Sequence, residues 1–142
     1  MTSKTLSLSE SFGHIERYLG KQWRTEEEAQ WALQMSFNEY DYMQAALEFE
    51  PVRLSDLAEC MQVSKASASQ MVRKLEGRGL LKRTPSEEDR RSVLIQVTLQ
   101  GRELLALEHK IYERISEKIS KQLSSEEFRT LESLLSRACE SL

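Results

Sequence analysis

The chain has 142 residues, enough for one domain with a substantial core. Hydrophobic residues make up 39% and charged residues 30%, which suits a soluble, helix-rich protein; no apolar run approaches the ~20 residues of a membrane span. The net charge of −3 would argue against a nucleic-acid partner only if the charge were evenly spread.

Taken in order, Leu8, Phe12, Ile15 and Leu19 form an apolar stripe through a first helix that Ser9 is expected to open. Gly20 weakens the pattern, and Thr25-Glu26-Glu27-Glu28 reads as a capping box for a further segment to about Leu33. The sequence leaves open whether residues 8–33 form two helices or one kinked helix. Ser36-Phe37-Asn38-Glu39 is a second capping box, with Met35 and Tyr40 placed as its hydrophobic staple. Tyr40, Met43, Ala46 and Leu47 continue that helix, and Pro51 ends it because it disfavours a helical Glu50.

Residues 54–98 carry the densest signal. Leu57, Ala58 and Met61 predict a short helix over Ser55–Met61, with Ser55 as its cap. Gln62 and Val63 form a tight turn, and Ser64 caps a second helix with Ala68, Val72 and Leu75 on one face. Lys65, Ser67, Gln70, Arg73 and Lys74 are left facing outward, and Gly77-Arg78-Gly79 stops the helix. Two helices joined so tightly, the second polar and basic outside, describe a helix-turn-helix. Leu80–Thr84 and Val93–Thr98 then read as strands, separated by a loop from Pro85 to Ser92 too long and polar for a two-residue turn. A charged hairpin in this place is a wing.

Thr98 is expected to cap a long helix, roughly Leu99–Gln122, with Leu104, Leu107 or Glu108, Ile111, Ile115 and Ile119 along one stripe. Ser124-Ser125-Glu126-Glu127 caps a last helix whose apolar face is Leu131, Leu134, Leu135, Ala138 and Leu142. Stripes of this length need a partner, and pairing the terminal helices of two chains supplies one.

The run LSDLAECMQVSKASASQMVRKLEGRGLLKR, the wing pattern Asp89-Arg90-Arg91-Ser92-Val93 and VTLQGRELL together resemble the MarR family of bacterial transcription regulators. The resemblance covers the central half well, the C-terminal helices moderately and the first 35 residues poorly. It implies a mainly α fold with a small β-hairpin wing: a winged helix-turn-helix core, residues 36–98, flanked by dimerisation helices at 1–35 and 99–142, all in one domain. It further implies a homodimer that binds double-stranded DNA at a pseudo-palindromic operator, as a repressor relieved by a ligand. The alternative is a winged-helix module that binds protein and not DNA.

Charge distribution favours DNA. Residues 1–61 carry 5 basic and 11 acidic side chains, residues 62–91 carry 8 and 4, and residues 92–142 carry 7 and 8. The positive charge therefore concentrates on the second helix and the wing. Ser64 to Ser67 offer N–H groups and hydroxyls to a phosphate. Ser67, Gln70 and Lys74 are candidates for base edges, with Lys65 and Arg73 as phosphate contacts; Arg90 belongs to the same basic surface. By resemblance, Arg91 enters the minor groove, and Asp89 orients a neighbouring arginine, either Arg83 or Arg91. Resemblance also implies a crevice for a small aromatic or lipophilic effector, with Trp23, Trp31, Phe37 and Tyr40 as candidate lining; ordinary core packing is the plainer account of any one of them.

Catalysis has no support, since His14 and His109 sit on separate helices and no metal-ligand or phosphate-loop motif occurs. No cofactor, metal or membrane partner is expected. The N-terminus lacks a basic start followed by an apolar core, and Cys60 and Cys139 form no CxxC pair. Both observations point to a reducing cytoplasm.

Overall fold

The structure, a computed structural model, describes residues 4–26 and 35–142. Its helices are α1 (Leu8–Thr25), α2 (Phe37–Phe49), α3 (Leu54–Cys60), α4 (Lys65–Gly77), α5 (Leu99–Ser120) and α6 (Ser125–Cys139). Its strands are β1 (Val52–Arg53), β2 (Leu81–Pro85) and β3 (Val93–Val97). The sheet is antiparallel with order β1-β3-β2; Val52 faces Ile95 on one side of β3, and Leu81 faces Val97 on the other. The chain divides into two compact units, Met1–Leu19 with Glu108–Leu142, and Gly20–Leu107.

The Gly20–Leu107 unit holds the winged helix. Ser36 and Glu39 satisfy each other's backbone N–H groups at the start of α2, the expected capping box. Buried Tyr42, Met43 and Ala46 of α2 meet Leu57 of α3, Ala68, Val72 and Leu75 of α4, Ile95 and Val97 of β3, and Leu104 of α5 in one core. Each buried aliphatic side chain contributes about 1.5–3 kcal/mol. Leu105 is also buried, beside the expected stripe of α5.

Both helices of the helix-turn-helix end in the same way. In α3, Val63 N–H reaches the Ala58 carbonyl and Gln62 N–H reaches that of Glu59, both at 3.0 Å. In α4, Leu80 N–H reaches Leu75 and Gly79 N–H reaches Glu76, at 3.0 and 2.9 Å. Each closure needs one left-handed residue: Gln62 at φ 55° and Gly79 at φ 75°. The turn between the helices is thus the capping motif of α3 running into the Ser64 cap of α4, whose Oγ accepts the Ser67 N–H.

Several sequence expectations shift. Ser55 does not cap α3; the helix begins at Leu54, Arg53 is the cap residue, and it makes no side-chain capping bond. β1 was not foreseen, since two residues carry no periodicity and the strand exists only through β3. α1 runs through Gly20 to Thr25, and Ser7, not Ser9, accepts the Glu10 N–H at its start. Thr25 closes α1, donating its hydroxyl to the Gln22 carbonyl; the rest of the segment to Leu33 lies outside the described residues. Pro85 belongs to β2, paired with Val93.

In the other unit, Ile111 and Ile115 of α5 are buried, whereas α1 and α6 have no buried residue. Leu6, Leu8, Phe12, Tyr112, Leu134, Leu135 and Leu142 are exposed there. Ser124 and Glu127 form the expected capping box of α6.

Gly101 sits where α5 passes under the sheet. A Cβ there would lie 2.4 Å from the Leu80 carbonyl oxygen, 2.7 Å from Met43 Cε and 2.8 Å from Val97 Cγ1. The nearest atom is backbone, so relief requires α5 to move. Gly101→Ala is expected to destabilise the protein by about 1–3 kcal/mol despite alanine's better helix propensity. Chemical denaturation checks this; an unchanged or raised midpoint contradicts the close packing.

Candidate nucleic-acid interface

α4 and the wing present the cationic surface. With 3.6 residues per turn as the helix period, Gln70 lies opposite the buried Ala68, Val72 and Leu75, with Arg73 and Lys74 on its two flanks. Ser64, Lys65, Ser67, Gln70, Arg73 and Lys74 are all exposed, as are Asp89, Arg90 and Arg91. Ser69 is half-buried, as a packing residue would be. The Ser64 hydroxyl donates to Ser67 Oγ at 2.9 Å, which orders the first turn of α4. Among the described residues Lys65, Arg90 and Arg91 form no ion pair.

The wing tip is organised by Asp89, but not through a guanidinium. Its Oδ1 accepts the backbone N–H of Arg91 at 3.0 Å, and its Oδ2 accepts the Ser92 hydroxyl at 3.0 Å. The Arg91 N–H, then the Ser92 hydroxyl and the nearby charge of Arg53, hold the Asp89 carboxyl below its ordinary 3.8. Buried Ser86 completes the turn, donating its N–H to the Ser92 carbonyl. The expectation that Asp89 pairs with the side chain of Arg83 or Arg91 is therefore corrected: it fixes the backbone of Arg91. Arg83 instead makes a two-pronged pair with Glu76, Nε to Oε2 and Nη2 to Oε1, both 3.0 Å. That pair ties the end of α4 to the first strand of the wing.

Sequence reasoning missed the charge partners of two further carboxylates. Glu39 is 1% exposed and receives the Lys74 ammonium, the Arg78 guanidinium at 3.4 Å and the Ser36 N–H at 2.9 Å. Burial raises its pKa, but the Lys74 and Ser36 hydrogen bonds and the charges of Lys74 and Arg78 prevail, leaving it below 4.5. Lys74, expected to be free for base edges, is thus committed to Glu39. Glu50 accepts the Val97 N–H at 2.9 Å and pairs with Arg102. It satisfies a β3 donor beyond the end of β1.

Trp23 and Tyr40 pack together with ring centroids 5.9 Å apart, whereas Phe37 is 79% exposed. Trp31 lies outside the described residues. A groove of about 940 Å³ runs between α3 and the wing, lined by Phe49, Val52, Arg53, Asp56, Glu87 and Leu94 among others; Trp23, Phe37 and Tyr40 do not line it. Cys60 and Cys139 are free and exposed. Among the described residues no His, Cys, Asp or Glu cluster could hold a metal ion, and no helix is long and apolar enough to cross a membrane.

Two helices closed by the same cap, a three-stranded sheet and a basic hairpin beyond it define a winged helix-turn-helix protein. The model of the MarR family matches residues 35–93, from the start of α2 to the wing. Over that segment the chain resembles the MarR family, and the curated relatives it matches are named HTH-type transcriptional regulators. The HTH-type transcriptional regulator YfiV of Bacillus subtilis (strain 168) is 36% identical over 95 residues, which are 63% of this chain and 58% of that protein. The chain spans about half the length of the curated relatives it matches. Streptococcus pneumoniae FabT, solved in complex with DNA, aligns at TM-score 0.72 and 22% identity over 94% of this chain and 90% of its own. RV1404 from Mycobacterium tuberculosis aligns at TM-score 0.77 and 20% identity over 99% and 97%. The likeness to these solved chains is one of fold.

The Glu76–Arg83 pair gives a pH-dependent expectation. Arg83 is the main reason that Glu76 lies below its ordinary 4.5. A depressed carboxylate contributes stability that is present above its unfolded value and is lost as pH falls through the folded one. Both side chains are about one-third exposed, so solvent screening limits the effect. Glu76→Gln should cost about 0.5–1 kcal/mol at neutral pH, and the gap to wild type should close as pH falls below 4.5. Denaturation midpoints between neutral pH and acid check it; a gap that stays constant would mean the charge is irrelevant.

Proposed function

We propose that the protein is a homodimeric regulator of transcription that binds a pseudo-palindromic operator, with α4 in the major groove and the wing in the adjacent minor groove. One observation carries this reading: Lys65, Gln70, Arg73, Arg90 and Arg91 are all exposed, on α4 and the wing, in a chain whose net charge is −3. Cations collected on one helix and one hairpin serve phosphate contact. Gln70 and Ser67 are placed for base edges, and Lys65 and Arg73 for the backbone. The Asp89 bond to the Arg91 N–H supports Arg91 as the minor-groove side chain, because it fixes the main chain and leaves the guanidinium outward. The protein-binding alternative gives these cations no task.

Binding should weaken steeply with salt, since each neutralised phosphate releases counterions. Arg91→Ala should weaken binding to all duplexes and blunt any preference for A·T-rich flanks. Gln70→Ala should relax discrimination at one position per half-site, by roughly 1–3 kcal/mol. Fluorescence anisotropy across single-base variants of a selected duplex separates the two. Affinity that is flat in salt would remove the DNA-binding reading.

Dimerisation is supported by the unit formed by Met1–Leu19 and Glu108–Leu142, where exposed Leu8, Phe12, Leu134 and Leu135 accompany few buried residues. Faces of this kind behave as a core divided between two chains. Sedimentation at micromolar concentration should report a dimer, and Leu134→Glu with Leu135→Glu should shift it toward monomer. A wild-type monomer would contradict the operator geometry. The reading as a repressor includes an aromatic effector against Trp23 and Tyr40. Operator must weaken its binding by the factor by which it weakens operator binding, and tryptophan fluorescence with and without operator tests that reciprocity.

A further inference from the structure

We infer that Glu39 is a positioning residue that withholds Lys74 from DNA, so that the number of phosphate-binding cations on α4 is set from α2. The inference deepens the DNA-binding reading above and rests on it. Lys74 belongs to the outer half of α4, one turn before Arg78, and its side chain is 60% exposed along its length. Yet its ammonium closes on the Glu39 carboxylate, which is itself 1% exposed. Arg78 reaches the other oxygen at 3.4 Å, and that oxygen also accepts the Ser36 N–H at 2.9 Å. The carboxylate is therefore enclosed by donors from the end of α4 and from the loop before α2.

The competition between Glu39 and a phosphate for Lys74 is unequal. Leaving an ionised carboxylate buried with one cation fewer is costly, because its desolvation is then offset by fewer donors. A phosphate on the DNA surface stays hydrated and gains less from one more ammonium. Lys74 accordingly remains on Glu39 when DNA binds, and the α4 cations Lys65 and Arg73 make the phosphate contacts without it. Glu39 also supplies the reciprocal half of the α2 capping box, so its backbone role and its charge must be separated.

Glu39→Gln does this. Glutamine serves at the third position of a capping box as glutamate does, but it carries no charge to hold Lys74. The test measures binding of full-length protein to a random-sequence duplex across a salt series, for wild type, Glu39→Gln, Lys74→Gln and the double variant, with folding of each checked by circular dichroism. The freed lysine in Glu39→Gln should steepen the slope of log K against log salt by about 0.9 per bound subunit and raise random-duplex affinity at moderate salt several-fold. The double variant should return to the wild-type slope, and Lys74→Gln alone should leave it unchanged. A merely structural Glu39 would lower the active fraction and leave the slope where it was. The inference is overturned if Glu39→Gln keeps the wild-type slope, or if Lys74→Gln alone loses about 0.9, which would place Lys74 on phosphate already. Denaturation of the same four proteins without DNA should show Glu39 and Lys74 to be coupled; additive effects would also overturn it. A wild-type protein that binds no duplex while this coupling persists would sink the DNA-binding reading instead, and with it the withholding role.

Discussion

An ionised carboxylate with 1% of its surface exposed is tolerated only inside a shell of donors, and Glu39 makes this constraint the pivot of the winged helix. Its donors come from the loop before α2 and from the end of α4. The orientation of α4 on α2 is thus fixed by directional bonds as well as by the core that Val72 and Leu75 share with Met43. Apolar contacts alone tolerate small rotations of a helix about its axis, whereas two cations meeting one carboxylate do not. A helix that keeps Gln70 and Arg73 exposed on a fixed face needs that restriction, because a rotation of one residue would replace them with their neighbours.

The same device recurs at the edges of the unit. Glu76 holds Arg83 and so sets the wing against α4, and Glu50 holds Arg102 and the Val97 N–H where β1 has run out. These three acids consume Lys74, Arg78, Arg83 and Arg102. The cations that form no ion pair among the described residues include Lys65, Arg90 and Arg91, all of them exposed on α4 or the wing. The acidic balance of the whole chain and the basic character of one face are therefore compatible. Part of the negative charge is spent inside the fold on positioning, and the face is what remains.

Local chemistry made much of this legible. Ser36, Ser64, Thr98 and Ser124 announced helix starts, because a capping hydroxyl is read within four residues. Gly79 announced the end of α4, and the period of Ala68, Val72 and Leu75 its buried face. What escaped depends on partners distant in sequence. β1 exists only because β3 lies beside it, and Glu39 meets Arg78 across 39 positions. Asp89 was expected to face an arginine side chain, yet its oxygens accept from the Arg91 backbone and the Ser92 hydroxyl, which a sequence motif does not distinguish. The need for glycine at position 101 was hidden for a similar reason: the atoms that crowd it belong to Leu80, Met43 and Val97. Gln62 shows the converse, a non-glycine residue held left-handed by the two bonds that close α3.

The terminal unit and the winged helix make different demands on the sequence. Exposed Leu134 and Leu135 on α6, and Leu8 and Phe12 on α1, suit a second copy of the chain, and a two-fold dimer presents two α4 helices to one duplex. The most direct test is to select bound duplexes from a random-sequence pool on the wild-type protein and sequence them. Inverted half-sites about 10 base pairs apart, centre to centre, are the predicted outcome. Unenriched sequence, or a single half-site with no inverted mate, would contradict it.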